Sequence, residues 1–238
     1  MSEYQYYEFL ALDRPLSADA IAEVRTLSSR VQPTPTQALF TYSYGDFRGD
    51  PLKLLAKHYD VMLYPANWAS KQLAFRFPKA AIDQQALQPY YYGVEEIELT
   101  TTEQHVILNI AFQEEGGGDW IEGDGGLAPL VPLRDDILRG DLRALYLAWL
   151  ASAERAQLAK LDALATREEQ VWAQVPDLLA RRTASGYDEA VAHLAELRDL
   201  AIHRGQRAAF DARLRNVLAS YATSAALQRR LREKKLVA

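Results

Sequence analysis

Cysteine is absent from all 238 residues. That removes disulfides, thiolate nucleophiles, Cys-based zinc sites and iron–sulfur clusters from the chain's own chemistry. It also fits a reducing compartment. Histidine occurs four times, as His58, His105, His193 and His203. No two stand at a metal-ligand spacing such as H-x-x-x-H. There is no run of about 18 apolar residues, so no membrane-spanning helix is expected. The segment Leu142–Ala153 comes nearest, but it is short and carries a helical pattern. The opening MSEYQYYEFLALDRPL has no basic start and no long apolar stretch. No secretory signal is therefore expected, and the protein reads as cytoplasmic. A P-loop, a G-x-S-x-G elbow and a dinucleotide fingerprint are all missing, and Gly116–Gly118 is not followed by the Lys-Ser/Thr of a phosphate loop. The sequence shows no catalytic constellation, and no cofactor or metal is expected.

What is present is an ordinary globular balance, 49% apolar and 25% charged. The charge is unevenly placed. Residues 1–150 hold 12 Lys+Arg against 21 Asp+Glu, and residues 151–238 hold 15 against 11, so −9 and +4 make the −5 of the whole chain. Opposite signs point to two regions with different partners, or regions that attract each other; the plain alternative is that helical surfaces are rich in arginine.

The periodicity divides in the same way. Tyr4–Leu12 is aromatic and strand-like. Ser17 is placed to cap a helix running to about Arg30 on the stripe Ala20, Ile21, Val24 and Leu27. Strands are expected at Ala38–Tyr44, Tyr59–Trp68 and Gln72–Pro78, and a hairpin at Glu95–Thr102 and Gln104–Phe112, its second strand the more buried. From Pro132 onward the pattern is helical: Leu133–Arg139, then a long helix from Asp141 to about Ala165. Thr166–Glu169 has the form of a capping box, Pro176 is expected to interrupt a helix, and Ser185-Gly186 to break the chain again. Two stripes follow, Tyr187/Val191/Leu194/Leu197/Ala201 and Phe210/Leu214/Val217/Leu218/Tyr221. With His203-Arg204-Gly205 as the turn between them, they predict an antiparallel helical hairpin, then a short helix from Ser224. The expectation is an α+β domain over 1–140, with a mixed or antiparallel sheet and flanking helices, and an all-helical region over 141–238.

The tripeptide Arg-Gly-Asp occurs twice, at Arg48–Asp50 and Arg139–Asp141. In animal matrix proteins it is read as an adhesion signal. Here each copy precedes an apolar helical run, and Asp50 is followed by Pro51. Aspartate at an N-cap with proline next is a helix start, and Gly140 suits a helix C-terminus. The capping account suffices for both.

Two segments are the candidate binding surfaces. The loop after Phe112, QEEGGGDWIEGDGG, offers Glu114, Glu115, Asp119, Trp120, Glu122 and Asp124. Its spacing does not match a calcium loop. It reads as a solvated loop, with partner binding or DNA mimicry as the functional alternative. The tail Gln228–Lys235 offers Arg229, Arg230, Lys234 and Lys235, with Arg204, Arg207, Arg213 and Arg215 nearby. Such a helix touches phosphate, docks onto the acidic half of the same chain, or is simply a solvated helix end. The tyrosines of the first strand and Tyr90–Tyr92 could stack bases, but the acidic first region opposes nucleic acid, so packing is the expected role.

The motifs YYEF-x-A-x-DRPL (from Tyr6), YGDFRGDP (from Tyr44) and YPANW (from Tyr64) resemble a widespread, uncharacterised bacterial family. The resemblance covers roughly residues 1–150 and implies no activity, cofactor or catalytic residue. The stretch from Tyr187 to Leu231 is similar to helical tails of several bacterial proteins, some of which carry zinc fingers; this chain has none. The resemblance implies a bacterial, intracellular setting. The leading reading is a non-catalytic interaction or adaptor subunit with a protein partner. The alternatives are a nucleic-acid-associated accessory protein using the basic C-terminal helices, and an enzyme whose carboxylates, such as Asp46 and Asp50, meet only in the fold.

Overall fold

The computed structural model describes residues 4–43, 45–113 and 126–237. The candidate residues Glu114, Glu115, Asp119, Trp120, Glu122 and Asp124 lie outside the described residues. The chain divides into two compact units, Met1–Ala153 and Glu154–Ala238.

The first unit is built on six antiparallel strands: β1 (Gln5–Leu10), β2 (Gln37–Tyr42), β3 (Val61–Pro65), β4 (Lys71–Pro78), β5 (Ile97–Thr101) and β6 (His105–Phe112). Their order is β2-β1-β3-β4-β6-β5. Register sets which side chains share a face, because strand side chains alternate. Phe9 stands opposite Ala38 and Met62, and with Phe40, Ala74 and Ile107 it faces one core. Helices α1 (Ala18–Arg25) and α2 (Pro51–His58) cover that face through Val24, Leu54 and Leu55. The opposite face presents Val61, Phe75, Phe77, Ile97 and Leu108. It is covered through Leu87 of α3 (Gln84–Tyr91), Ile137 of α4 (Val131–Leu138) and Leu145 from the start of α5 (Arg143–Ala165). The result is a sheet between two helical layers.

The motifs of this unit act as joints. In YGDFRGDP, Gly45 (φ 82°) and Gly49 (φ 114°) are left-handed, which glycine adopts without penalty. Between them Phe47 drops into the core, 4.9 Å from the Phe40 ring and 5.0 Å from the Tyr7 ring. Asp50 caps α2 by accepting the N–H groups of Leu52 (2.9 Å) and Lys53 (3.1 Å). The second Arg-Gly-Asp closes α4: Gly140 (φ 82°) and Asp141 donate to the carbonyls of Ile137 (3.0 Å) and Asp136 (2.9 Å). Helix α5 begins one residue later than a cap at Asp141 would give, since Tyr146 N–H bonds the Leu142 carbonyl at 2.8 Å. Asp141 still accepts the Arg143 N–H at 3.2 Å. In YPANW, Asn67 accepts the Tyr4 N–H at 3.1 Å and donates its own N–H to the Tyr4 carbonyl at 2.9 Å, tying the start of the chain to the β3–β4 turn.

The second unit is helical: the end of α5, then α6 (Glu168–Ala180), α7 (Ala184–His203), α8 (Arg207–Leu218) and α9 (Ala225–Glu233). Helix α7 lies at its centre and packs against α6, α8 and α9. Its stripe Tyr187, Val191, Leu194, Leu197 and Ala201 is buried, as are Phe210, Leu214 and Leu218 of α8.

Four local expectations are corrected. Helix α1 stops at Arg25 rather than near Arg30, where the Thr26 hydroxyl takes the Glu23 carbonyl at 2.7 Å and ends the ladder. The capping box at Thr166–Glu169 does not form. The Thr166 hydroxyl donates backward to the Ala163 carbonyl at 2.9 Å, while Glu168 and Glu169 bind Arg204 (2.8 Å) and Arg213 (2.6 Å). Pro176 lies inside α6 without ending it. An interior proline costs about 3 kcal/mol. Val171, Trp172 and Val175 before it and Leu178 and Leu179 after it are all buried, at about 1.5–3 kcal/mol each, which outweighs that cost. Ser185-Gly186 falls in the first turn of α7, not in a break; the break is at Arg182 (φ 51°), and Thr183 caps the helix by accepting the Gly186 N–H at 3.1 Å. Gly186 is needed because a Cβ there would lie 2.6 Å from the Leu178 carbonyl oxygen of α6.

Candidate functional site

Two places gather polar chemistry among the described residues. The first is at one end of the sheet, where buried charges meet. Asp60, just before β3, is fully buried. Its Oδ1 accepts Arg76 Nη2 at 2.6 Å and Nε at 3.2 Å, while its Oδ2 accepts the N–H groups of Leu12 at 2.6 Å and Asp13 at 3.0 Å. Arg76 also donates to the Ala56 carbonyl of α2 at 3.0 Å. Arg134 of α4 donates to the Arg76 carbonyl at 3.0 Å and to Asp13 at 2.7 Å. Burial alone raises the Asp60 carboxyl, but the Asp13 N–H, the Arg76 guanidinium and the Leu12 N–H together hold it below the usual carboxylate value. The hydrogen bonds of this cluster run between separate parts of the frame. It joins β1, β3, β4, α2 and α4.

A buried carboxylate on β1 has the same character. Glu8 accepts the Gln37 side-chain amide at 3.0 Å and the Leu127 N–H at 3.0 Å, which pins Leu127 onto the sheet. Of the two carboxylates singled out as catalytic candidates, Asp46 accepts the Gln5 amide at 3.2 Å, and Asp50 is the α2 cap. Burial, followed by the nearby Arg76 charge, lowers the His105 pKa from its ordinary value. His58 closes α2 beside Glu23, with Nε2 to Oε2 at 3.1 Å. Among the described residues, no three His, Asp or Glu side chains are grouped to hold a metal. No described helix is long and apolar enough to cross a membrane.

The second place is a trough between α8 and α9 in the helical unit. It is open to solvent, with a volume of about 870 Å³. Leu214 and Leu218 of α8 and Leu236 after α9 lie at its base but are buried in the core, and Ala222 and Val237 also line it. Four cations line its walls, Arg207 and Arg215 on the α8 side and Arg232 and Lys235 on the other, against one carboxylate, Asp211. Asp211 is held by Arg207 at 2.8 Å.

Helical geometry decides which cations of the tail reach this trough, because residues four apart share a face. Gln228, Arg232 and Lys235 line it. Arg230 faces α7 instead: its side chain is only 16% exposed and binds Asp188 at 2.6 Å, holding that carboxyl below its usual value. Arg229 pairs within α9 to Glu233 at 3.6 Å. Lys234 ends the helix, and its carbonyl accepts Arg198 Nη1 at 2.5 Å. Arg213, on α8, binds Glu169 and lies 4.5 Å above the Trp172 ring. Arg215, Arg232, Lys234 and Lys235 have no carboxylate partner among the described residues.

No family model, curated protein or solved structure matches this chain. The site is therefore read from its geometry alone. Of the four tail residues named from sequence, Lys235 lines the trough, Arg229 and Arg230 are engaged in ion pairs, and Lys234 caps. Arg232 was not among them. A helical wheel drawn over Gln228–Lys235 separates it from Arg230, since the two differ by about 200°.

The end of α9 has a further feature. Leu236 and Lys235 donate to the carbonyls of Leu231 and Arg232, both at 2.9 Å, closing the helix in a Schellman motif. The left-handed residue of that motif is Lys235, at φ 55°. The same motif ends α4 and α7 with Gly140 and Gly205. A lysine there costs about 1–2 kcal/mol relative to the right-handed region. The strained position is one whose side chain lines the trough.

Proposed function

We propose that this protein is a non-catalytic interaction subunit of a bacterial intracellular complex, and that it holds a protein partner in the α8–α9 trough. One observation carries the reading. On α8, α9 and the residues after α9, Arg207, Arg213, Arg229 and Arg230 are paired with carboxylates, while the exposed Arg215, Arg232 and Lys235 line the trough without a carboxylate partner among the described residues. Unneutralised like charges gathered on one surface are unfavourable in isolation and are compensated by a partner of opposite charge. The buried charges of the first unit support the same view, because each is engaged by its own frame. The bacterial setting rests on the resemblance of the YYEF, YGDF and YPANW motifs.

The nucleic-acid reading draws on the same exposed cations, with Lys234 beside them. Affinity purification of the tagged full chain from its host separates the two. Wild type and Arg215→Glu/Arg232→Glu would be compared at low and high salt by mass spectrometry and nucleic-acid absorbance. The expected result is a set of protein partners present with wild type and lost with the variant. Partners unchanged by the variant would overturn the site. Nucleic acid as the only species lost would move the assignment to the accessory reading.

A further inference from the structure

We infer that the first unit carries a binding site for a small amphiphile, a medium-chain carboxylate of fatty-acid type, in a pocket that the interaction function above does not use. The pocket lies between the second face of the sheet and the helices α4 and α5, and its volume is about 240 Å³. Its floor follows from the register. Leu73 of β4 stands opposite Leu63 of β3 and Ile110 of β6, and two residues away Lys71 stands opposite Phe112. Alternation puts these five side chains on one face of the sheet. Above them the start of α5 contributes Ala144 and Ala148, one turn apart, and side chains this short leave space over the floor.

The apolar surface of this pocket is reachable. Leu63, Leu73, Ile110, Phe112 and Ala148 are half-buried, not sealed in the core. Two polar residues stand on its border, Lys71 and Gln72. Gln72 alternates to the opposite face, where its amide donates to Asn109 Oδ1 at 2.7 Å. Lys71 shares the pocket's face, is exposed, and has no carboxylate partner among the described residues.

One cation at the mouth of an apolar pocket selects a ligand with an apolar body and one anionic end. Size sets its length. A cavity of about 150 Å³ lined by Leu, Ile and Phe holds benzene, so this one takes a chain of roughly eight to ten carbons. A sugar or a nucleotide would leave its hydroxyls without partners on such a lining. A single leucine or phenylalanine side chain from a partner protein would fill it only in part.

The test is isothermal titration of the full chain with saturated carboxylates of increasing length, each below its micelle concentration. Their methyl esters and the matching alkylamines are the controls. Burying one methylene changes affinity about fourfold. Affinity is therefore expected to climb by about that factor per carbon, to level off near roughly ten carbons, and to carry a negative heat-capacity change. Lys71→Glu is expected to weaken the carboxylate about fivefold and to leave the ester unchanged, the scale of an exposed ion pair. Ala148→Leu fills the pocket. It is expected to raise the melting temperature while lowering affinity at least about tenfold, because it excludes two or more methylenes. General destabilisation cannot produce that combination. Ala144→Val narrows the same pocket with a smaller group and is expected to act in the same direction, so the reasoning stays testable if the leucine variant fails to fold.

Affinity that keeps rising with chain length, or that neither alanine substitution lowers, would overturn the inference, because the ligand would then bind elsewhere. Alkylamines or esters that bind as tightly as the carboxylates would overturn the anionic end. Absence of binding by every chain length would remove the site altogether.

Discussion

Removing the Asp60 carboxylate tests whether the buried charge cluster is structural. In Asp60→Ala, Arg76 remains in place at 5% exposure without its counter-ion. Breaking a buried pair from one side costs about 3–5 kcal/mol. The N–H groups of Leu12 and Asp13 also lose their acceptor, and an unsatisfied buried donor costs about 1–3 kcal/mol. The loss therefore approaches the whole stability of a typical domain, about 5–15 kcal/mol. Adding Arg76→Met removes the stranded charge and keeps the packing of its stem. Replacing both members of a buried pair by apolar groups is often close to neutral. The double variant is thus expected to be at least about 2 kcal/mol more stable than Asp60→Ala alone. Urea unfolding, followed by hydrogen exchange in peptides from β1, β3 and β4, reads each variant. A loss below about 1 kcal/mol for Asp60→Ala, or a double variant whose loss equals the sum of the singles, would refute the reasoning. The folded pKa of Asp60 lies below its ordinary 3.8, so its contribution is complete above that pH and is lost as pH falls through the lower folded value.

Three further outcomes follow from single residues. Gly186→Ala places a methyl group against the Leu178 carbonyl; overpacking of about 1–3 kcal/mol should exceed a helix-propensity gain of at most about 1, lowering the urea midpoint of α6 and α7. An unchanged or raised midpoint would mean that α7 shifts freely against α6. The Tyr59 hydroxyl is buried without a hydrogen-bond partner among the described residues, so Tyr59→Phe should stabilise the first unit by about 1–2 kcal/mol in thermal or urea melts; a loss would reveal a partner for that oxygen. Because His105 has a folded pKa below 6.5, the unfolded chain binds its proton more readily. Stability should therefore fall as pH drops below 6.5, and His105→Gln should flatten that part of the profile; an identical slope in the variant would assign the effect to other groups.

Much of this architecture was legible where one local rule had no competitor. Asp50-Pro51 marks a helix start, and the alternation of Ile97/Leu99 with Val106/Leu108/Ile110 marks a half-buried hairpin. The α+β division, with helices alone after the sheet, followed from the switch of period near Pro132. The errors share a cause: tertiary packing overrode a local signal. Pro176 reads as a stop, but buried residues on both sides carry α6 through it. Gly186 reads as a breaker, but it is the small residue that a close helix contact requires. Helix α3 went unread because Pro89 lies inside it and Leu87 is its one buried residue. The trough was the least legible feature. The tail is plainly basic, but which of its cations are neutralised depends on Asp188, 42 residues before Arg230. Sequence proximity does not show that pairing.

The central claim is that the α8–α9 trough is where the partner binds. Hydrogen exchange of the full chain, alone and in complex with the protein partner captured from its host, tests it most directly. The account predicts slowed exchange confined to α8, α9 and the turn between them, Arg207–Glu233, and no such protection in Arg215→Glu/Lys235→Glu. Protection that maps to the sheet unit while α8 and α9 exchange as before would contradict it.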